Sequence, residues 1–389
     1  MLEATAAAPL RRREIGSWDN GRPGPTLLVV GGMHGNEPAG VAAAERVLAE
    51  LRQRELVLDG RLIALAGNLQ ALQQDRRFVA RDLNRGWSQH AIAALTQRER
   101  GLLRAEDQEQ HELLQRFAEI DRTAAGPLVF LDLHTSSAEG SPFLCLADTI
   151  DNRRLGLATG VPIILGIEET LAGASLEWFA DRGIAGMAVE GGQHQNPDTV
   201  RNLTAVLWLL LDRLRMLPPG QVDLTPHREH LHRAVGATPP IVEIVDRHAI
   251  VPADDFRMAP GFVNFARVHK GQRLATDRRG PIDAPQACHV LLPLYQAQGD
   301  DGYFLARRVR PFWLWLARWL RTARLGALLP LLPGIRRDPR DRDTLLANKR
   351  VARWFVVEIF HLLGFRKEQE RDGQRAFSRR RSRPENRRL

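Results

Sequence analysis

At 389 residues, 44% of them hydrophobic and 26% charged, the chain exceeds one ordinary domain and can bury a sizeable core without disulfide or metal staples, which excludes a chain disordered throughout. Its formal net charge of +9 is unevenly placed: residues 307–389 hold 23 basic and 8 acidic side chains, leaving 32 basic against 38 acidic in the first 306. A nucleic-acid or anionic-membrane partner, the usual implication of such basicity, is therefore a question about the last 83 residues alone. Cys145 and Cys288 match no metal or redox spacing, so a reducing compartment is expected. The opening MLEATAAAPLRRRE has no apolar stretch after its charges, and no apolar run approaches the 18 or more residues of a spanning helix. A cytoplasmic protein is expected.

After an N-terminal lead (1–24), short apolar runs alternate with helical patterns over residues 25–217, the sequence form of an α/β layer structure with a mostly parallel central sheet flanked by helices. The runs at 26–30 (TLLVV), 61–67, 128–133 (LVFLDL), 161–166 and 186–190 (GMAVE) read as buried strands. Residues 38–55, 89–122 and 198–216 read as helices, and Pro-Pro-Gly at 218–220 closes the unit. Residues 240–306 change to short segments divided by Gly, Pro and Asp, the pattern of a small all-β domain. Residues 310–389 form a basic, partly helical extension whose final stretch from Arg366 is expected to be disordered.

Three motifs fall at the C-terminal ends of expected strands, the edge of a parallel sheet at which ligands bind. In GGMHGNEPAG, two residues separate His34 from Glu37, so one tight turn can aim both at one point, with Gly31, Gly32 and Gly35 allowing close approach. In DLHTS, His134 ends a strand. Together they offer two His and one Glu, the protein ligand set of a catalytic zinc with a fourth position open. Asp132 shares a strand face with His134 and can accept its other ring N–H; an ordinary fold-stabilising hydrogen bond is the alternative. RRFVARDLNRGW brings Arg76, Arg77, Arg81 and Arg85 within ten residues. Its Asn84 and Arg85 suit capture of a carboxylate, although a charge run is commonly just a solvated face.

GGMHGNEPAG, RRFVARDLNRGW, DLHTS and MAVEGG, in this order and each after an expected strand, resemble the succinylglutamate desuccinylase/aspartoacylase family of the zinc carboxypeptidase superfamily, over residues 25–306. The resemblance implies one zinc per chain held by His34, Glu37 and His134. It also implies substrate-carboxylate binding by Asn84 and Arg85, carbonyl polarisation by Arg77 and a general base at Glu190. The implied reaction is hydrolysis of a small anionic N-acyl amino acid, without a choice among acyl groups. The family's small β domain narrows the active-site entrance, and residues 240–306 are similar to it. From that domain Tyr303 is assigned to the substrate, against the alternative of a half-buried strand tyrosine. His194, Thr135 and Ser136 lie beside the motifs without assigned roles.

No family counterpart is seen for 310–389. There PFWLWLARWLRTARLGALL sets Arg318, Arg321 and Arg324 at three-residue intervals beside Trp315 and Trp319. This suits a peripheral helix on an anionic membrane, or an amphipathic helix packed on the protein's own core or on a second subunit of a homo-oligomer; the apolar VARWFVVEIFHLLGF also needs burial. SRRRSRP resembles arms that bind phosphate backbones, but no nucleic-acid fold accompanies it, which ranks nucleic acid last. A non-catalytic binding or membrane-associated protein is the alternative to the enzyme.

Overall fold

The computed structural model describes residues 12–323, 325–348, 360, 362–371 and 374–379. In chain order the first part comprises β1 (Glu14–Asp19), β2 (Thr26–Gly31), α1 (Ala39–Gln53), β3 (Arg61–Ala66), α2 (Leu69–Gln73), α3 (Gln89–Thr96) and α4 (Glu106–Thr123). Then follow β4 (Leu128–Ser136), β5 (Phe143–Leu146), α5 (Ile150–Thr159), β6 (Ile163–Leu165), α6 (Ile167–Thr170), α7 (Ser175–Asp181), β7 (Ala185–Gln193), α8 (Asp198–Arg213) and α9 (Thr225–Val235). The all-β region holds β8 (Ile241–Ala249), β9 (Arg257–Met258), β10 (Ala266–Val268), β11 (Arg273–Asp277), β12 (Gly280–Asp283), β13 (Cys288–Leu291) and β14 (Asp301–Arg308). The extension adds α10 (Pro311–Thr322), β15 (Ile335–Asp338), β16 (Asp341–Ala347), β17 (Phe365–Arg371) and β18 (Gln374–Arg379).

The central strands are continuous apolar runs because both their faces are covered. In β2, Leu27 and Val29 enter a core shared with Val47 of α1 and Leu203 and Trp208 of α8, while Leu28 and Val30 enter one shared with Phe117 of α4, Phe130 and Phe179. Each such fully buried Leu or Val contributes about 1.5–3 kcal/mol. Helices thus sandwich the sheet, whose strand order is β1-β3-β2-β4-β7-β5-β6-β8-β14-β13-β10. The β2–β3, β2–β4, β4–β7, β5–β6 and β6–β8 pairs are parallel. In β4 and β7, His134 stands directly beside Glu190.

The structure departs from the expected elements in several places, among them β5, which pairs antiparallel with β7. The N-terminal lead contributes β1, antiparallel to β3, with Ile15 and Trp18 on the core. The helix expected over 89–122 is broken into α3 and α4: Ala105 has φ +37°, and Glu106, Asp107 and Glu109 fill the first turn of α4, where carboxylates complement the helix dipole. The all-β region is present, but most of it prolongs the central sheet through β8, β14, β13 and β10; only β9, β11 and β12 form a sheet of their own. In the extension, the segment from Arg366 expected to be disordered pairs as β17 and β18 in a four-stranded sheet up to Arg379. Residues 380–389, 349–359 and 361, and with them most of SRRRSRP and VARWFVVEIFHLLGF, lie outside the described residues, as does the opening to Arg11. Among the described residues no helix is long and apolar enough to cross a membrane.

The turn after β2 requires its glycines for two different reasons. Gly32 has φ +73°, a region that side chains disfavour, and a Cβ on Gly35 would lie 2.0 Å from the carbonyl carbon of Ala71 at α2. Gly35→Ala is therefore expected to displace the turn from α2 and cost about 1–3 kcal/mol, read as a lowered urea midpoint. An unchanged midpoint would show that the turn is free to move.

Candidate active site

The turn after β2 and the ends of β4 and β7 meet around one buried carboxylate. Glu37 Oε1 lies 2.9 Å from His34 Nδ1, and its Oε2 lies 3.1 Å from His134 Nδ1 while accepting a 2.9 Å hydrogen bond from the Thr135 backbone N–H. One ligand atom from each of His34, Glu37 and His134 lies within 4.8 Å of the others, and all three residues are buried. Both imidazoles present Nδ1 to Glu37 and have their far nitrogens beside carboxylates: His34 Nε2 is 3.1 Å from Asp82 Oδ1, and His134 Nε2 is 3.2 Å from Asp132 Oδ2. Ser175 Oγ donates to Asp132 Oδ2 at 2.6 Å. Two imidazoles with carboxylates beside their far nitrogens, and a third carboxylate between them, are a donor set that fits a divalent transition metal.

The charge balance of the cluster points the same way. Burial alone would raise the Glu37 carboxyl, but the imidazoles of His34 and His134 outweigh it and hold the group well below the usual range. Burial alone would lower His134; Asp132 and Glu37 outweigh it and hold this imidazole well above its usual value.

The arginine motif reaches the same place by a scaffold that its own residues do not reveal. Glu106, buried at the start of α4, accepts hydrogen bonds from the backbone N–H of Val79 (2.6 Å), Ala80 (3.0 Å) and Arg81 (3.2 Å), and from Asn68 Nδ2. That holds the loop whose next residue is Asp82. Asp82 accepts from Arg77 Nη2 at 3.1 Å and from the Asn84 backbone N–H at 2.8 Å, besides its contact with His34. Burial would raise its carboxyl, yet His34 and Arg77 hold it well below the usual range. Asn84 Oδ1 accepts from the Ser175 backbone N–H, and Arg85 donates to Asp301 of β14, which also accepts from Arg247 of β8. Arg81, by contrast, pairs with Asp107 on α4.

A 140 Å³ cavity unites these groups. His34, Glu37, Arg77, Asn84, Arg85, His134 and Glu190 all line it, with Thr135 and Ser136; Cys145, Leu176, Leu292, Leu294 and Phe304 supply apolar wall. Glu190 Oε2 is buried without a hydrogen-bond partner. Desolvation raises its carboxyl to about 7, with His134 opposing and Glu37 reinforcing the shift. His194 stands one step back, bonded through Nδ1 to Thr135 Oγ1 at 2.6 Å and through Nε2 to Gln296 at 3.1 Å.

Tyr303 is not in this cavity, a correction to its assignment to the substrate. It is 2% exposed, packs in the core formed with Val268, Leu274 and Val290, and stacks on His248 at a 5.0 Å centroid distance. Neighbours on a strand face opposite sides, so Phe304 takes the cavity wall; a register shift between Asp301 and Tyr303 brings Asp301 to the cavity as well. Asp82, Ser175, Asp301 and Cys145 are cavity or supporting groups that the sequence reading does not single out. The signal available for Asp82 was an acid inside an arginine run.

Residues 23–169 match the family model "Succinylglutamate desuccinylase/Aspartoacylase catalytic domain". Over this segment the chain is similar to that family's catalytic domain. A succinylglutamate desuccinylase of Pseudomonas paraeruginosa is 39% identical over 84 residues, 22% of this chain and 24% of that protein, so the alignment spans about a quarter of the relative. The solved succinylglutamate desuccinylase of Chromobacterium violaceum (TM-score 0.52, 18% identity, 74% of this chain and 86% of that one) and mouse aminoacylase 3 (0.55, 17%, 74% and 96%) share the fold. Glu190 and the all-β region lie beyond the segment matched by the family model.

Removing Asp82 would take from a buried site the 3.1 Å partner of both Arg77 Nη2 and His34 Nε2, leaving Arg77 only its longer 3.5 Å pairing with Glu37. Asp82→Ala is expected to cost about 3–5 kcal/mol in denaturant unfolding. A loss below about 1 kcal/mol would mean that water replaces the carboxylate. Glu190 carries the opposite sign. Its folded pKa of about 7 exceeds the ordinary 4.5, so its contribution is present at low pH and lost as pH rises through 7. In chelator-treated protein Glu190→Gln should therefore gain stability over the parent between pH 4.5 and 8, on the order of 2–4 kcal/mol. A pH-independent difference would refute the burial of an uncompensated carboxyl.

Proposed function

We propose that the protein is a zinc-dependent amidohydrolase that deacylates a small anionic N-acyl amino acid. The observation that carries this reading is the buried His34, Glu37 and His134 cluster beside Glu190 and Arg77 in one cavity. Zinc, when bound by His34, Glu37 and His134, lowers the pKa of water to about 7 and withdraws electrons from a carbonyl oxygen. Glu190 takes a proton from water as its oxygen bonds to the acyl carbon. The same carboxyl then gives that proton to the departing nitrogen as the C–N bond breaks, leaving a free amino acid and a carboxylic acid. A base whose own carboxyl is raised toward 7 is suited to both transfers. Arg77, anchored by Asp82, donates to the oxygen on which negative charge develops.

Asn84 and Arg85 receive the substrate carboxylate. Arg85 already donates to Asp301, so the incoming carboxylate takes over part of an existing pairing. Residues 25–217 act as the catalytic unit and 240–306 narrow its entrance, supported by the cavity positions of Leu292, Leu294, Gln296 and Phe304. Two free buried cysteines agree with a cytoplasmic setting.

Purified protein is expected to hold about one zinc per chain by elemental analysis and to hydrolyse at least one member of a panel of N-acetyl and N-succinyl amino acids. His34→Ala should lose the zinc, whereas Glu190→Gln should keep it and lower kcat by about 10²–10⁴-fold. Absence of both zinc and hydrolysis would sink the reading; full activity in Glu190→Gln would remove Glu190 as the base.

A further inference from the structure

The extension carries an apolar surface that the proposed hydrolase does not use. Among the described residues, twelve large hydrophobic side chains are exposed, and seven of them fall within 312–332: Phe312, Trp313, Trp315, Trp319, Leu328, Leu331 and Leu332. Helix α10 packs on the body along one narrow face, with Leu314 and Leu320 against neighbouring cores, and leaves most of its aromatic side chains outside. Its polar Arg321 faces the body, where it donates to Asp148 Oδ2 at 2.8 Å and to the Asp148 and Leu362 carbonyls, and Ala317 is buried beside it. Its aromatic face looks out: Phe312, Trp315 and Trp319 are 57%, 61% and 54% exposed. Arg321 therefore does not belong to an outward basic stripe with Arg318.

Within the segment itself the charge is of one sign. Residues 307–337 contain eight arginines and no acidic residue. An apolar groove of 250 Å³ runs between α5 and α10, lined by Ile150, Leu157, Leu314 and Trp315 and edged by Arg154 and Arg318. Leu157 on α5 is itself exposed, so the apolar surface continues across the groove.

We propose that the outward face of α10, with the turn at 325–332, docks on an anionic lipid bilayer surface. Tryptophans seat at the headgroup level, leucines enter the acyl boundary, and the arginines meet lipid phosphates. Charge decides against a second copy of the chain. A two-fold interface through this face would bring arginine to arginine, with no acid within 307–337 to pair them. No helix among the described residues crosses a bilayer, so the contact is peripheral. It is independent of whether the cavity hydrolyses an amide.

The test is co-sedimentation of the full chain with vesicles of phosphatidylcholine alone and of phosphatidylcholine mixed with phosphatidylglycerol, together with tryptophan emission. Binding at least about tenfold tighter to the anionic vesicles, a blue-shifted emission and weakening by high salt are expected. Arg318→Gln should weaken binding about fivefold. Trp315→Ser combined with Trp319→Ser should weaken it more than about tenfold without changing the melting temperature, because both side chains are exposed. Equal sedimentation with and without anionic lipid would overturn the proposal, as would parent-like binding by the double tryptophan variant. So would a dimer in light scattering that the same variant converts to a monomer while no vesicle is bound.

Discussion

The site depends on keeping one carboxylate dry. Glu37 sits where the turn after β2, the end of β4 and two imidazoles converge, and both its oxygens are engaged by groups from separate elements. Desolvation works against its charge, so the surrounding structure has to return that energy through nearby positive charge and hydrogen bonds. The glycine turn that backs onto α2 brings His34 to one oxygen. The parallel pairing of β2 with β4 brings His134 and the Thr135 amide to the other. The Asp82 carboxylate at the far side of His34 then fixes which of its nitrogens faces inward, while Asp132 lies 3.2 Å from the far nitrogen of His134.

Neighbouring carboxyls are held in opposite protonation regimes by a few ångströms of environment. Glu37 and Asp82 have cationic partners and stay low, while Glu190, beside His134 in strand register but without a hydrogen bond at Oε2, is pushed up. The raised carboxyl arises from strand pairing and burial rather than from a special residue type.

Much of this was legible because buried parallel strands are read as uninterrupted apolar runs and their ends locate a ligand edge. Strands 26–30, 61–67, 128–133 and 186–190 stood out for that reason, and the motif residues His34, Glu37, His134 and Glu190 follow from their position at those ends. β1 escaped notice because Gly16 and Ser17 interrupt its pattern and it lies at the sheet edge; β5 has four residues behind a proline. In β17 five of seven residues are charged, a run that composition alone equates with disorder. Tyr303 was misplaced because a one-residue change of strand parity reverses the face, and the register shift beside it is a tertiary property. Asp82 and Asp301 matter only through partners far away in sequence, so nothing local distinguished them.

The pairing of β6 with β8 means that the all-β region is not a lid resting on a finished sheet. It supplies the hydrogen-bonding neighbour for a strand at 163–165 that is buried on both faces. Were the chain to end before β8, that strand would present unpaired backbone donors and acceptors on an apolar edge, the geometry that recruits other chains into aggregates. The region that lends Leu292, Leu294 and Phe304 to the cavity wall therefore also acts as edge protection, and its loss would be met first as insolubility.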